Sequence, residues 1–210
     1  RCKEDRAYRH ALVRDLLNGQ AAEIGRTMNE GIDLLQLQLG KVEQELISIC
    51  LRHPQQAVAW LSIPGIGLIN AATLIAYVGD GSRFSKPEQL MNYAGLVPKQ
   101  NQSGITNIHG KITKKGCTII RRNIVQGASS LITKPYNADC PLSRFIYRKK
   151  KEQICHGKVT VAAANHMLRI GLALLHNNDI FCSAKEDNCE KLKAKLAVYK
   201  LSALSDYLPR

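Results

Sequence analysis

The sequence predicts a mainly α protein, in which a long coiled-coil-like helix is followed by a compact helical domain that holds a helix-hairpin-helix and an irregular Ser-Gly loop. Three observations predict this class. Apolar residues recur at heptad spacing through residues 20–52, Pro and Gly then divide the chain into short apolar helices, and the later apolar residues lie on single helical faces. A chain of 210 residues is long enough to bury a core.

The long helix is predicted from apolar residues that lie three or four positions apart over about three heptads. It follows residues 1–19, which we interpret as the end of an upstream domain or helix. Such a seam is typical of a coiled coil or a helical hairpin, and an ordinary long core helix is the alternative. Three glycines within it each cost about 1 kcal/mol relative to Ala, so packing against a partner must stabilise the helix. The seam consists of Ile24, Met28, Ile32, Leu35, Leu39, Val42, Leu46 and Ile49.

A helix-hairpin-helix is predicted after Pro54, which ends the long helix because proline cannot continue the hydrogen-bond ladder. A short helix over residues 57–62, the turn Pro64-Gly65-Ile66-Gly67 and a helix over residues 68–78 give this shape. The two glycines would let the backbone approach a phosphate, and the free amides at the start of the second helix favour an anion. A plain sharp turn between two helices is the alternative.

The next segment is predicted to be a short helix, a loop and a second helix. Ser85 and Glu88 are typical of a capping box, with Ser85 as the N-cap. Residues 95–110 are too rich in Gly, Asn, Gln and Pro for a helix, so we expect a loop or irregular hairpin that carries Ser103. A helix resumes near Thr113.

Charge favours a polyanionic partner. The formal net charge is +13, and Glu88 is the only carboxylate between Asp80 and Asp139. Because a two-metal nuclease holds its cations with several carboxylates, this stretch is excluded as such a metal site. Aromatic residues make up only 5% of the chain, which disfavours a single-strand binder that works mainly by base stacking. The basic residues of the stretch are Arg83, Lys86, Lys99, Lys111, Lys114, Lys115, Arg121, Arg122 and Lys134.

The cysteines predict neither a disulfide framework nor a metal site. They number seven, form no C-x-x-C pair and suit a reducing compartment. Cys155-His156 lacks two further ligands at zinc-site spacing, so no metal ligand is predicted. We also expect no apolar run of about 18 to 20 residues, and therefore a cytoplasmic protein without membrane contact.

A family resemblance rests on an ordered set of short motifs within residues 57–181. The set resembles the C-terminal domain of the Piv/MooV-type DNA invertases and of the related bridge-RNA-guided insertion-sequence transposases, which are prokaryotic enzymes. Its members are Pro64-Gly65-Ile66-Gly67, Gly79-Asp80, Phe84, Leu96-Val97-Pro98, Ser103-Gly104, Gly110, Ile112-Thr113-Lys114, Gly116 and Arg121-Arg122.

The resemblance implies a transposase or site-specific recombinase in which Ser103 attacks a DNA phosphate and forms a transient phosphoserine link. Those enzymes also carry an N-terminal RuvC-like domain with carboxylates that bind Mg²⁺, and no base for Ser103 is obvious in this chain. We therefore expect the chain alone to hold no cofactor, and to bind DNA without recombining it. The predicted DNA-binding residues are Gly65, Gly67, Lys99, Gly104, Lys111, Lys114, Lys115, Arg121 and Arg122.

These expectations divide the chain into four parts. Residues 1–19 end an upstream element, residues 20–55 form a coiled-coil linker helix, residues 56–182 form the recombinase domain, and residues 183–210 form a charged tail. The expected partners are double-stranded DNA, a structured guide RNA and a second copy of the chain that pairs through the 20–55 helix. The alternative function is a non-catalytic helix-hairpin-helix module that binds DNA or RNA.

Overall fold

The computed structural model describes residues 2–16, 18–103, 106–134, 137, 140–181 and 187–208. Within these ranges the chain forms nine α-helices, one 3-10 helix and a two-stranded antiparallel sheet, so the predicted mainly α class is confirmed. The chain divides into two compact units, Arg1–Glu45 and Leu46–Arg210.

The first unit is built from α1 (Cys2–Leu16) and most of α2 (Gln20–Arg52). Asp33 on α2 accepts a 3.4 Å hydrogen bond from the guanidinium of Arg9, and its second carboxylate oxygen lies 2.9 Å from Nε2 of His10. The buried Asn29 amide donates to the backbone oxygen of Arg9 at 3.3 Å. Polar contacts therefore join the two helices.

The heptad seam of α2 faces solvent in the single chain. Met28 is 67% exposed, Leu35 is 65% exposed and Leu39 is 59% exposed. Only its last part joins the second unit, where Leu46 and Ile49 pack against the core.

The second unit packs its helices around one long apolar helix, α8, which contacts α3, α5, α6 and α7. Trp60, Met167 and Leu168 are completely buried there. In chain order its elements are α3 (Pro54–Ser62), α4 (Leu68–Val78), α5 (Pro87–Ala94), β1 (Pro98–Ser103), β2 (Thr106–Ile112), α6 (Thr118–Ile132), α7 (Pro141–Lys151), α8 (His156–Asn177), α9 (Asp187–Val198) and the 3-10 helix Ser202–Tyr207.

Helix α8 corrects the expectation that the chain has no apolar run of membrane-spanning length. It is 22 residues long and, by length and composition alone, apolar enough to cross a membrane. Half of its most apolar window is buried inside the protein, against four other helices. That burial is what the central helix of a folded core requires.

The predicted helix starts need three corrections. The helix expected from about Thr113 begins at Thr118 as α6, because Lys114 and Gly116 have positive φ angles, which a right-handed helix does not allow. Helix α3 begins at Pro54, three residues earlier than expected, with proline in the first turn. The N-cap of α5 is Lys86 and not Ser85, because Pro87 is the first helical residue. Gln89 therefore takes the role predicted for Glu88, and its Oε1 accepts from the backbone N–H of Lys86 at 3.3 Å.

The segment predicted as a charged tail is part of the folded unit. Four of its five leucines, Leu192, Leu196, Leu201 and Leu204, are at most 5% exposed. Helix α9 and the 3-10 helix both contact α3. The four leucines are the physical reason, since they supply an apolar face among many charged residues. The boundary expected at residue 182 therefore does not separate a tail from a domain.

Candidate nucleic-acid interface

The predicted loop or irregular hairpin is an antiparallel β-hairpin with one irregularity. Pro98 pairs with Ile112 and Ser103 pairs with Thr106. Between Pro98–Ile112 and Gln100–His109 the pairing moves two positions on β1 and three on β2, so β2 holds one extra residue. Lys99 lies opposite that irregularity, which contains Lys111. The predicted site residue Gly104 lies outside the described residues.

Ser103 is the last residue of β1, at the far end of the hairpin from the helices. It lies five positions after Pro98, which is about 17 Å along an extended strand. Lys114 and Lys115 follow β2 at the near end of the hairpin. The side chains of Ser103 and Lys111 lie outside what the structure describes, so the roles predicted for them stay predictions.

The near end of the hairpin is fixed by backbone contacts to the end of α5. Gly95 ends α5 in the left-handed conformation (φ +68°), and its oxygen accepts from the N–H of Lys114 at 3.1 Å. The N–H of Cys117 donates to the oxygen of Tyr93 at 2.7 Å. Gly116 has φ +139°, and a Cβ there would lie 2.4 Å from the oxygen of Tyr93. Backbone packing therefore requires glycine at residue 116.

The two adjacent arginines of α6 have different surroundings. Arg121 is half-buried and donates to the oxygen of Ala94 at 2.9 Å and to the hydroxyl of Thr118 at 3.1 Å. It therefore joins α6 to the end of α5. Arg122 is exposed, as are Lys99, Lys114 and Lys115. The exposed cations of this predicted set can reach a phosphate, whereas the guanidinium of Arg121 is hydrogen-bonded within the fold.

The glycines of the helix-hairpin-helix have packing roles. Gly65 has φ +87°, and a Cβ there would lie 2.7 Å from the oxygen of Gly127 on α6. A Cβ on Gly67 would lie 3.2 Å from the hydroxyl of Tyr199. Neighbouring helices therefore approach the hairpin closely, and the predicted phosphate contacts of Gly65 and Gly67 stay predictions.

Lys195 is a partly buried cation beside this hairpin that sequence reasoning missed. Its ammonium donates to the oxygens of Leu61 at 2.5 Å and Ile66 at 2.6 Å. Burial, and to a smaller extent the positive charge of Lys134, lowers the pKa of Lys195 to about 8. Both lysines line a cavity of about 690 Å³. The sequence feature that could have indicated this burial is the position of Lys195 between apolar residues in an otherwise charged helix.

Within the described ranges, no group of three or more His, Cys, Asp or Glu side chains is arranged to hold a metal ion. Glu88 pairs with Arg169 at 3.3 Å on the surface. Asp80 accepts from the hydroxyl of Ser82 at 2.8 Å and from its N–H at 3.0 Å, and these hydrogen bonds lower the pKa of Asp80. Both carboxylates therefore have partners of their own.

The chain is similar to proteins that move or invert DNA. Residues 59–140 match the model of the Transposase IS116/IS110/IS902 family. The chain is 29% identical over 153 residues to a probable family 20 transposase of Pseudomonas aeruginosa, a match that covers 73% of this chain and 45% of that protein. It is 30% identical over 151 residues to the transposase for insertion sequence element IS1111A of Coxiella burnetii, covering 70% and 40%.

A third relative is the pilin gene-inverting protein of Moraxella lacunata, to which the chain is 30% identical over 122 residues, covering 57% of this chain and 37% of that protein. The chain therefore spans less than half the length of these curated relatives.

Proposed function

We propose that this chain is a segment of a DNA transposase or site-specific recombinase of the IS116/IS110/IS902 type. One observation carries the proposal: the 59–140 segment that matches this family holds both the Ser103 hairpin and the exposed cations around its near end. The similarity to transposases and to a gene-inverting protein supports a reaction that cuts and rejoins DNA strands.

In the proposed chemistry, Ser103 is the nucleophile. Its hydroxyl oxygen attacks a DNA phosphorus, the bond to one strand oxygen breaks, and that strand leaves as a hydroxyl after it takes up the proton. A serine hydroxyl needs a base to become a good nucleophile. We assign the base, and the Mg²⁺ that its neighbours bind, to a RuvC-like domain in the part of the longer relatives that this chain does not span.

The predicted cations bind DNA in this proposal, at more than one phosphate. Lys99 and Lys111 lie within the hairpin, whereas Lys114, Lys115 and Arg122 lie at or beyond its near end. Because the hairpin separates Ser103 from its near end by about 17 Å, the second group contacts phosphates away from the one that reacts. Arg121 supports the scaffold, and the exposed α2 seam pairs two copies of the chain.

The test is a covalent adduct between protein and DNA. The full-length protein, with its carboxylate domain and Mg²⁺, is incubated with labelled DNA that carries the element ends and is then resolved under denaturing conditions. We expect a protein-linked band that Ser103→Ala abolishes. Thr106→Ala, which changes the residue paired with Ser103, is the matched control and retains the band. An equally strong band in Ser103→Ala contradicts the serine assignment.

A second candidate is a binding module without chemistry, which the exposed cations alone would support. This candidate predicts that Ser103→Ala leaves both DNA binding and strand exchange intact. Charge reversal at Arg122 would still weaken binding and lower its salt dependence. Strand exchange by Ser103→Ala therefore separates the two candidates.

A further inference from the structure

Helix α7 carries a basic stripe that the proposed reaction does not use. Arg144, Tyr147, Arg148 and Lys151 lie at positions i, i+3, i+4 and i+7, so they share one helical face. All four are exposed, and Tyr147 is 41% exposed. Helix α7 contains no Asp or Glu. Its other face supplies the buried Leu142 and Ile146 to the core.

We propose that this α7 stripe binds an unpaired stretch of nucleic acid, with the arginines on the phosphates and Tyr147 against a base. Three cations and an aromatic ring on about 10 Å of helix combine the two features by which proteins bind single strands. The partner is a polyanion because no carboxylate on α7 offsets the charge.

Ring contacts hold two of the three cations of the stripe in place, Arg148 and Lys151. The guanidinium of Arg148 lies 5.7 Å from the ring centroid of Phe145, and Nζ of Lys151 lies 5.0 Å from that of Tyr147. Phe145 in turn stacks on His166 of α8 with centroids 4.7 Å apart. Arg148 is therefore positioned through Phe145 by the central helix, which lowers the entropy lost when it binds a phosphate.

The other basic residues of α7 are engaged within the fold. Lys149 pairs with Glu152 at 2.7 Å, and Lys150 donates to the oxygen of Ile132 at 2.9 Å. This contrast separates the stripe from general surface charge. The low aromatic content of the whole chain disfavoured binding by base stacking. That average does not reveal a single exposed tyrosine placed between two arginines on one helical face.

The experiment measures binding to labelled single-stranded DNA, single-stranded RNA and duplex DNA of one sequence by fluorescence anisotropy without Mg²⁺. We expect Tyr147→Leu to weaken single-strand binding on the order of tenfold, the usual effect of losing one stacked base. Tyr147→Phe keeps the ring and the affinity, and duplex binding changes less than about twofold. Comparing the RNA and DNA strands identifies which one the stripe prefers.

Arg144→Gln tests the electrostatic part, with Lys149→Gln as the matched control on the same helix. Arg144→Gln should weaken single-strand binding and lower its salt slope by about 0.7, whereas Lys149→Gln should change little. The proposal is overturned if Tyr147→Leu binds single strands as tightly as the wild-type protein, or if the two charge variants lose the same amount of affinity.

This inference rests on the proposed function only in taking the bound polymer to be a nucleic acid. Because Ser103 and Mg²⁺ take no part here, failure of this test and failure of the adduct test are separate results.

Discussion

At the scale of single residues, Gly171 shows how tightly the core is packed. A Cβ on Gly171 would lie 1.9 Å from Cζ3 of Trp60, which is fully buried. Gly171→Ala must therefore displace the indole, and we expect it to lower the free energy of unfolding by about 1–3 kcal/mol. Trp60 is the one tryptophan of the chain, so its fluorescence during urea unfolding measures the change.

The matched control is Gly157→Ala on the same helix. A Cβ on Gly157 would have no atom within 4 Å, so this substitution should be neutral or slightly stabilising. Equal effects of the two substitutions would contradict the contact between Gly171 and Trp60.

Lys195 makes stability depend on pH. Its pKa is about 8 in the folded chain, below the ordinary 10.5. Between these values the unfolded chain binds more protons, so the contribution of Lys195 to the free energy of unfolding rises with pH across this window. Below the window the contribution is constant and unfavourable.

The comparison that isolates this effect uses Lys195→Met, which lacks the titrating group. We expect the free energy of unfolding of the wild-type chain, minus that of Lys195→Met, to rise from pH 8 to pH 10 and to stay flat from pH 6 to pH 7, as followed by urea unfolding. A difference that is flat or falls above pH 8 contradicts the lowered pKa.

At the scale of elements, the exposed seam of α2 predicts self-association. Leu35 lies on the heptad seam, whereas Leu34 is similarly exposed but lies off it. Leu35→Glu should raise the dissociation constant of the oligomer by roughly tenfold or more, since burying one leucine contributes about 1.5–3 kcal/mol. Analytical ultracentrifugation measures this constant, with Leu34→Glu as the control. Equal weakening by both variants, or a monomeric wild-type chain, contradicts pairing through the seam.

Elements could be predicted where the signal is local. The long α2 helix follows from its heptad spacing, and α3 and α4 follow from the turn between them. The pairing of β1 with β2 could not be predicted, because a polar hairpin has no apolar alternation that fixes its register. The leucines of α9 were obscured by charged neighbours, and only their contact with α3 reveals them.

At the scale of the whole molecule, the sequence predicted the excess of cations in the candidate site but not their separate tasks. Arg121 and Arg122 are adjacent in the chain, yet Arg121 bonds to Ala94, 27 positions away. No local pattern carries a contact of that length. The separation of Ser103 from Lys114 and Lys115 likewise depends on the hairpin, and sequence reasoning did not decide between a loop and an irregular hairpin for this segment.

The buried contacts of Trp60 extend beyond the segment that matches the family, which ends at residue 140. Trp60 packs against Gly171, and Lys195 satisfies the oxygens of Leu61 and Ile66. A shortened gene product that ended near residue 140 would lack both Gly171 and Lys195. Its Trp60 side chain would then be uncovered on the side where α8 normally packs. Cellular proteases remove chains in that condition. Such shortened copies would therefore not accumulate.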